Sequence, residues 1–361
     1  MKRLVVCCDG TWNRPDHVSG GVVRPTNVTK VAWGIAENDP QGTPQVLYYH
    51  PGVGTEPRER LLGGALGVGL SRHVRDCYRF LVENYEPDDE LYFFGFSRGA
   101  FTARSTVGLV YNAGILRRRH LARADDAYRL YRDRSALRRP NAIESQIFRR
   151  MYSHDEIAIH FVGVWDTVGR VGIPGVRGTL ANRFWGFHNT TLNRRVRFAY
   201  HALAIDEQRR LFAPTLWEQD GEARDQTLRQ VWFSGGHGDV GGGHRDPSLA
   251  EIALVWMTRR AQECGLAFRL GFLQTPSGAP DEDLRTLAQQ IAPGPLGLLD
   301  DARHGIFRLL PGRRRTLENK PSLASAVASS AIQRRREKPD YAPSNLDEYL
   351  ATRPDEVDWR T

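Results

Sequence analysis

The chain has little of what would staple a small secreted domain together or anchor one in a bilayer. Four cysteines in 361 residues, two of them adjacent (Cys7 and Cys8), form neither a disulfide framework nor a C-x-x-C metal pattern. No apolar run approaches the roughly 20 residues that a membrane helix needs. The N-terminus, MKRLVVCCDG, turns acidic after five apolar residues, short of the about 7–15 in the apolar core of a signal peptide. Internal repeats and low-complexity tracts are missing as well. These absences predict a soluble, reduced protein made in the cytosol. Lysine is scarce too: only Lys2, Lys30, Lys320 and Lys338 contribute to the 50 basic residues, against 42 acidic ones and a net charge of +8. The positive charge is therefore almost all guanidinium, whose planar fork suits phosphate and carboxylate groups. No basic helix or aromatic–basic repeat accompanies it, so nucleic acid is not an expected partner.

What is present is an alternation. Short apolar runs at Arg3–Cys8, Gln45–Tyr49, Glu90–Phe94, Ile157–Trp165 and Gln230–Phe233 read as buried strands. Helix-like stretches fall between or after them at Val28–Asn38, Leu61–Tyr85, Arg98–Ala113 and Pro247–Glu263. Strands alternating with helices predict an α/β fold with a mostly parallel central sheet flanked by helices. Two segments interrupt the order. Residues 115–152 are dense in arginine and predict one or two inserted amphipathic helices. Residues 167–229 read as a second insertion, opening on a Gly/Pro loop and turning helical around Arg197–Leu211. Beyond Leu270 the apolar strand pattern stops, and a C-terminal helical and loop elaboration, 271–361, is expected beside a main domain of 1–270.

The strongest chemical signal is Gly95-Phe96-Ser97-Arg98-Gly99, placed between the strand Glu90–Phe94 and a helix. G-x-S-x-G in strand–turn–helix context holds a serine on a tight, strained turn above the sheet. The two small residues let strand and helix come close. A serine nucleophile needs a base, and the base an orienting acid, in the chain order Ser, Asp/Glu, His. His17, His50 and His73 precede Ser97; His120 and His154 lie in the arginine-rich insertion; His160 is inside a strand; His188 and His201 have no strand leading into them. His237 follows the strand QVWF in a glycine-rich loop, with His244 its competitor there. Asp166 ends the strand IAIHFVGVW, where open α/β sheets gather their sites. Asp206, in the helix-like HALAIDEQRRLF, is an alternative acid or a partner of Arg209 or Arg210. Asp239 could cap the histidine loop or hold a backbone amide.

The first strand ends in Asp9-Gly10-Thr11-Trp12. That turn could aim amides at a developing oxyanion, with the Arg98 amide as second donor. Asp9 could equally tie the turn down as a buried acceptor. Leu61–Leu70 could line an acyl site or pack closely on the sheet through its glycines.

Taken in order, DGTWN (Asp9–Asn13), PGVGT (Pro51–Thr55), GFSRGAFTAR (Gly95–Arg104), VWDTVG (Val164–Gly169), HALAIDE (His201–Glu207) and GGHGDVGGGH (Gly235–His244) resemble the α/β-hydrolase family that includes type VI secretion phospholipase effectors of the first lipase class. The late YAPSNL (Tyr341–Leu346) is similar as well. The resemblance implies an α/β-hydrolase-like fold and a Ser97–Asp166–His237 triad without cofactor or metal. It also implies hydrolysis of an ester, with phospholipid on an anionic membrane surface as the substrate of the secreted members. Export by a route that leaves no N-terminal signal is compatible with it, as is a secretion-apparatus or immunity partner. No membrane-anchoring module or fused secretion adaptor is readable in the chain. Under this reading the two insertions supply a lid and an acyl pocket, and their arginines meet phosphate head groups.

Two other readings stand beside it. His237, Asp239 and His244, perhaps joined by Asp9, could ligate a metal in a metal-dependent hydrolase. The fold could also serve as a non-catalytic binding module.

Overall fold

The computed structural model describes all residues except 12–17, 20–21, 53–65, 134, 169–189, 222, 224, 273–290, 301–302, 304–311, 319 and 359–360. Eight strands build its central sheet: β1 (Arg3–Cys8), β2 (Gln45–His50), β3 (Glu90–Phe96), β4 (Ile159–Trp165), β5 (Val196–Ala204), β6 (Thr227–Phe233), β7 (Ser325–Ala328) and β8 (Val357–Asp358). Their order across the sheet is β2-β1-β3-β4-β5-β6-β7-β8. Every neighbouring pair is parallel. The fold is thus α/β, of α/β-hydrolase-like character.

The near-continuous apolar strands are explained by helices on both faces. Period-two alternation sends Val5 and Cys7 of β1 to one core and Leu4, Val6 and Cys8 to the other. The first core is closed by α1 (Asn27–Gly34), α7 (Ser248–Glu263), α8 (Ser329–Glu337) and α9 (Ser344–Thr352). The second is closed by α2 (Leu66–Asn84), α3 (Arg98–Ala113) and α4 (Ala124–Arg132). Two further helices, α5 (Ile143–Tyr152) and the short α6 (His237–Gly241), complete the set used below. Chain order reverses between β1 and β3, and a crevice at the carboxyl ends of strands flanking such a reversal is where α/β folds bind ligands.

Three expectations need correction. Residues 167–229 are not one insertion, because β5 runs through them; the segment expected to be helical around Arg197–Leu211 is instead strand over Val196–Ala204. Its alanines and histidine are helix-tolerant, but it lies between β4 and β6 and is covered on both faces, so periodicity is hidden. His201 accordingly sits inside a strand, fully buried, where it accepts from the Thr167 amide and meets Gln230. The strand pattern also does not stop at Leu270, since β7 and β8 form one edge of the same sheet.

The segment 115–152 contains α4 and α5, which pack along α3 away from the nucleophile turn. A two-stranded antiparallel ladder, Ile115–Leu116 with Ser153–His154, closes its base. Arg149 of α5 donates to the carbonyl oxygen of Asn112, near the far end of α3. At 1.5 Å per residue, that contact is about 22 Å along the helix from Ser97.

Candidate active site

The turn from β3 into α3 carries the serine. Ser97 has φ 57° and ψ −120°, a left-handed conformation that a non-glycine residue holds only when its surroundings dictate it. Its amide donates to the carbonyl oxygen of Trp165 at 3.0 Å, stitching the turn to the end of β4. The flanking glycines have separate steric reasons. A Cβ on Gly95 would lie 2.6 Å from Cα of Ala100, inside the first turn of α3. One on Gly99 would collide with the carbonyl oxygens of Cys8 and Asp9, where β1 ends. The motif therefore brings the start of α3 against the end of β1 and aims its amides at the crevice. Arg98, the first residue of α3, is pushed down to about 10 by burial.

Asp166 and His237 are brought together from the ends of β4 and β6. Asp166 also has positive φ, 40°, and is fully buried. His237 Nδ1 donates to Asp166 Oδ2 at 2.6 Å, so the proton sits on Nδ1 and Nε2 is left as the basic nitrogen. The imidazole ring packs 4.6 Å from the ring of Phe96, the residue before Ser97, and edge-on to Phe212 at 5.0 Å. Gly241, one turn on, leaves no room for a side chain because the Phe96 ring occupies that space. Burial depresses the His237 pKa below the ordinary histidine value, and Asp166 and Glu207 only partly offset it. Burial alone would raise Asp166, but Arg315 and His237 outweigh it and hold the carboxylate far below the usual range.

The other candidates fall elsewhere. Asp9 is an acceptor hub: the Gly10 amide and the hydroxyls of Thr26, Thr29 and Tyr49 all donate to it, at 2.6–2.8 Å. It fastens the turn after β1 to α1 and β2. Gly10 and Thr11 lie at that turn, so close to Gly52 that a side chain there would strike the Gly10 carbonyl. The Thr11 hydroxyl is buried with no partner among the described residues. Trp12 lies outside the described residues, as do residues 61–65 of the Leu61–Leu70 stretch. Asp206 accepts from the Gly235 amide at 2.7 Å and the Tyr341 hydroxyl at 2.9 Å, while Arg209 grips Glu207. Asp239 accepts from the Gly236 amide and from His244 Nδ1. Burial would depress His244, but Asp239 and Asp300 flank it and raise it instead. Asp239 and His244 thus face each other, while His237 faces Asp166. No three His, Cys, Asp or Glu side chains are grouped to hold a metal among the described residues.

Three participants escaped the sequence reading as individual residues. Glu207 Oε2 accepts from the His237 amide at 3.2 Å, while Arg209 grips the same carboxylate through Nε and Nη2. Glu207 lies in the HALAIDE string, so the motif could have pointed to it. Tyr341 opens YAPSNL. Arg315 clasps Asp166 from a run of three arginines that offers no signal at all.

A cavity of about 810 Å³ lies between α3 and the Asn193 and Trp217 segments and is lined by none of Ser97, Asp166 and His237. Among the described residues no helix is long and apolar enough to cross a membrane.

Residues 2–260 match the family described as "T6SS, Phospholipase effector Tle1-like, catalytic domain". Among curated proteins the chain is similar to the uncharacterised protein YEL023C of Saccharomyces cerevisiae, 30% identical over 232 residues, which cover 58% of this chain and 32% of that protein. Among solved structures it is similar to an uncharacterised protein from Pseudomonas aeruginosa, with 16% identity and a TM-score of 0.44 over 81% of this chain and 49% of that one. It is also similar to the Tle1 effector bound to the VgrG spike of the type VI secretion system, with 18% identity and a TM-score of 0.35 over 67% and 51% of the two chains. The chain spans about a third of the yeast protein and about half of each solved chain.

Proposed function

The chain belongs to the family of Tle1-like phospholipase effector catalytic domains of type VI secretion, and from that premise we propose that it is a serine hydrolase cleaving acyl esters of phospholipids. The observation that carries the reading is the 2.6 Å bond from His237 Nδ1 to the buried Asp166 carboxylate, set against the ring next to the strained Ser97 turn.

Asp166 holds the imidazole in the tautomer that leaves Nε2 free to accept a proton. Ser97 Oγ attacks the ester carbonyl as His237 takes its proton, and the imidazolium formed is stabilised by the carboxylate behind it. The oxyanion meets the Arg98 amide at the N-terminus of α3 and the donors of Thr11, its amide and hydroxyl, on the turn after β1. His237 then protonates the leaving alcohol. Water, deprotonated in turn by His237, releases the acyl group from Ser97. The lowered basicity of His237 suits a base that must be neutral before the reaction begins.

Hydrolysis of phospholipid vesicles and of a short-chain p-nitrophenyl ester, compared between wild type and Ser97→Ala, tests this reading. Loss of about 10⁴-fold or more in kcat on both substrates supports the serine mechanism. The ratio of the two activities in the wild type separates a phospholipase from a small-ester hydrolase. Equal activity in both proteins removes Ser97 as nucleophile, and sensitivity of that activity to a chelator would then favour metal chemistry. A folded wild-type protein that cleaves neither ester would favour a binding role.

A further inference from the structure

Both carboxylates that touch His237 are matched by a guanidinium. Glu207, which accepts from the His237 backbone amide, is gripped by Arg209, two residues along. Asp166, which accepts from the ring, is gripped by Arg315, 149 residues along. Arg315 is itself buried, and both of its Nη groups are engaged. Nη1 donates to Asp166 Oδ1 at 2.6 Å and to the Ala204 carbonyl at 2.9 Å; Nη2 donates to Asp166 Oδ2 at 2.8 Å and to the Phe212 carbonyl at 2.6 Å. The four Nη hydrogens are thereby used, and the fork meets both carboxylate oxygens at once. The Arg315 carbonyl is held in turn by Asn345 Nδ2 at 3.1 Å, and the same amide reaches the Ile205 carbonyl at 3.0 Å. Arg315 lies beyond the residues that match the family, 2–260.

We infer that Arg315 is a positioning residue for the proposed acyl transfer: its bidentate clasp holds the Asp166 carboxylate in register with His237 Nδ1 and shares the carboxylate's charge. This rests on the serine-hydrolase reading for its purpose, though not for its physics. A carboxylate with only the Ala204 amide and the imidazole as donors could rotate about its side-chain bonds. With Arg315 in place, one oxygen points at the histidine and the other is occupied. The charge argument runs alongside. The charged groups facing His237 are Asp166, Glu207, Arg209 and, through Asp166, Arg315; Asp239 on the same short helix is engaged by His244. Burial lowers the basicity of the imidazole, Asp166 and Glu207 work against it, and Arg209 supports it; Arg315 offsets part of the Asp166 charge. Removing Arg315 leaves an excess negative charge that favours the imidazolium, so the histidine should become more basic.

The test uses Arg315→Met, Arg315→Gln and Arg315→Lys in the full chain. The His237 ring is titrated by NMR with ¹³C-labelled histidine, its signal assigned by its loss in His237→Gln. Alongside, kcat and KM are measured on a p-nitrophenyl ester, and thermal melting is followed. Arg315→Met and Arg315→Gln should raise the His237 titration midpoint by about one pH unit. They should move the acid limb of kcat/KM upward by the same amount and lower kcat by about 10- to 100-fold with little change in KM. Arg315→Lys keeps the charge without the fork, so its midpoint should stay at the wild-type value while kcat still falls. If the methionine variant does not fold, the glutamine–lysine pair decides, since they differ in charge. A midpoint that is the same in all folded variants, with kcat per folded molecule unchanged, would overturn the inference and leave Arg315 a purely structural ion pair. The titration needs no substrate, so it still decides the coupling should Ser97→Ala turn out fully active and the serine reading fall.

Discussion

The two halves of the site are built in opposite ways. The serine half is carried on a single stretch of chain, β3, Ser97 and α3, whose glycines let it close on Ala100 within α3 and on the end of β1. The histidine half is assembled from places far apart in sequence. Asp166 follows β4, Glu207 follows β5, His237 follows β6, and Arg315 and Tyr341 come from the segment before and after β7. A local device depends on secondary structure that forms early and cheaply, whereas a device of remote parts depends on the closed tertiary fold. The nucleophile turn should therefore be tolerant of events elsewhere, and the base should be the part that fails.

Asp166→Asn breaks the second half hardest. It offers the wrong hydrogen-bonding pattern to His237 and leaves Arg315 as a buried charge without its partner. We expect kcat to fall about 10⁴-fold and unfolding stability to fall by about 3–5 kcal/mol. Ser97→Ala should match that activity loss while leaving stability essentially intact; urea unfolding of both variants checks the contrast. If the two lose stability equally, the halves do not differ as argued. Gly99→Ala attacks the local half instead, forcing a methyl group onto the backbone carbonyls of Cys8 and Asp9. It should cost about 1–3 kcal/mol and reduce kcat by displacing the Arg98 amide. An unchanged melting temperature would show that α3 need not approach β1 so closely.

Titration sharpens the comparison further. His237 must be neutral to act as base, so kcat/KM should rise with pH through its pKa and then level off. Because burial lowers that pKa, the rise should be complete below the pH expected for an exposed histidine. A midpoint above the ordinary histidine value would mean that Asp166 and Glu207 dominate over burial. The smallest effect belongs to Tyr341→Phe, which removes one donor from Asp206 while the Gly235 amide remains. About 1 kcal/mol of stability should be lost, with kcat altered by less than that of any variant above.

The same division explains what could be read before the fold was known. The turn around Ser97 was legible because it is contiguous, and β1 to β4 because their apolar runs are long and bounded by turn residues. Asp166 and His237 were legible one at a time, as polar residues ending apolar strands; the expectation that they meet came from the chain order of acid and base and from the family resemblance, since nothing local joins them. β5 was mistaken for helix because a strand covered on both faces loses its alternation, and its Arg197, alanines and His201 suit either state. β7 and β8 are four and two residues long, too short for any period to register. Arg315 sits in Arg313-Arg314-Arg315, where composition gives three equivalent residues; only the tertiary position of Asp166 selects the third. Asp9 shows the converse, a residue at a strand end that could serve chemistry or tie the turn down, and whose four donors make it a fastening.

The ion pair of Asp166 with Arg315 also has a consequence in time. A ribosome adds about 5–20 residues per second, so the 149 residues between the two partners take roughly 7–30 s to make. Throughout that interval the elbow can be complete and β4 present, yet the carboxylate that must be dry in the finished protein has no counter-charge and stays in water. The nascent chain thus carries its serine long before it carries a settled base, which waits for the segment that delivers one guanidinium.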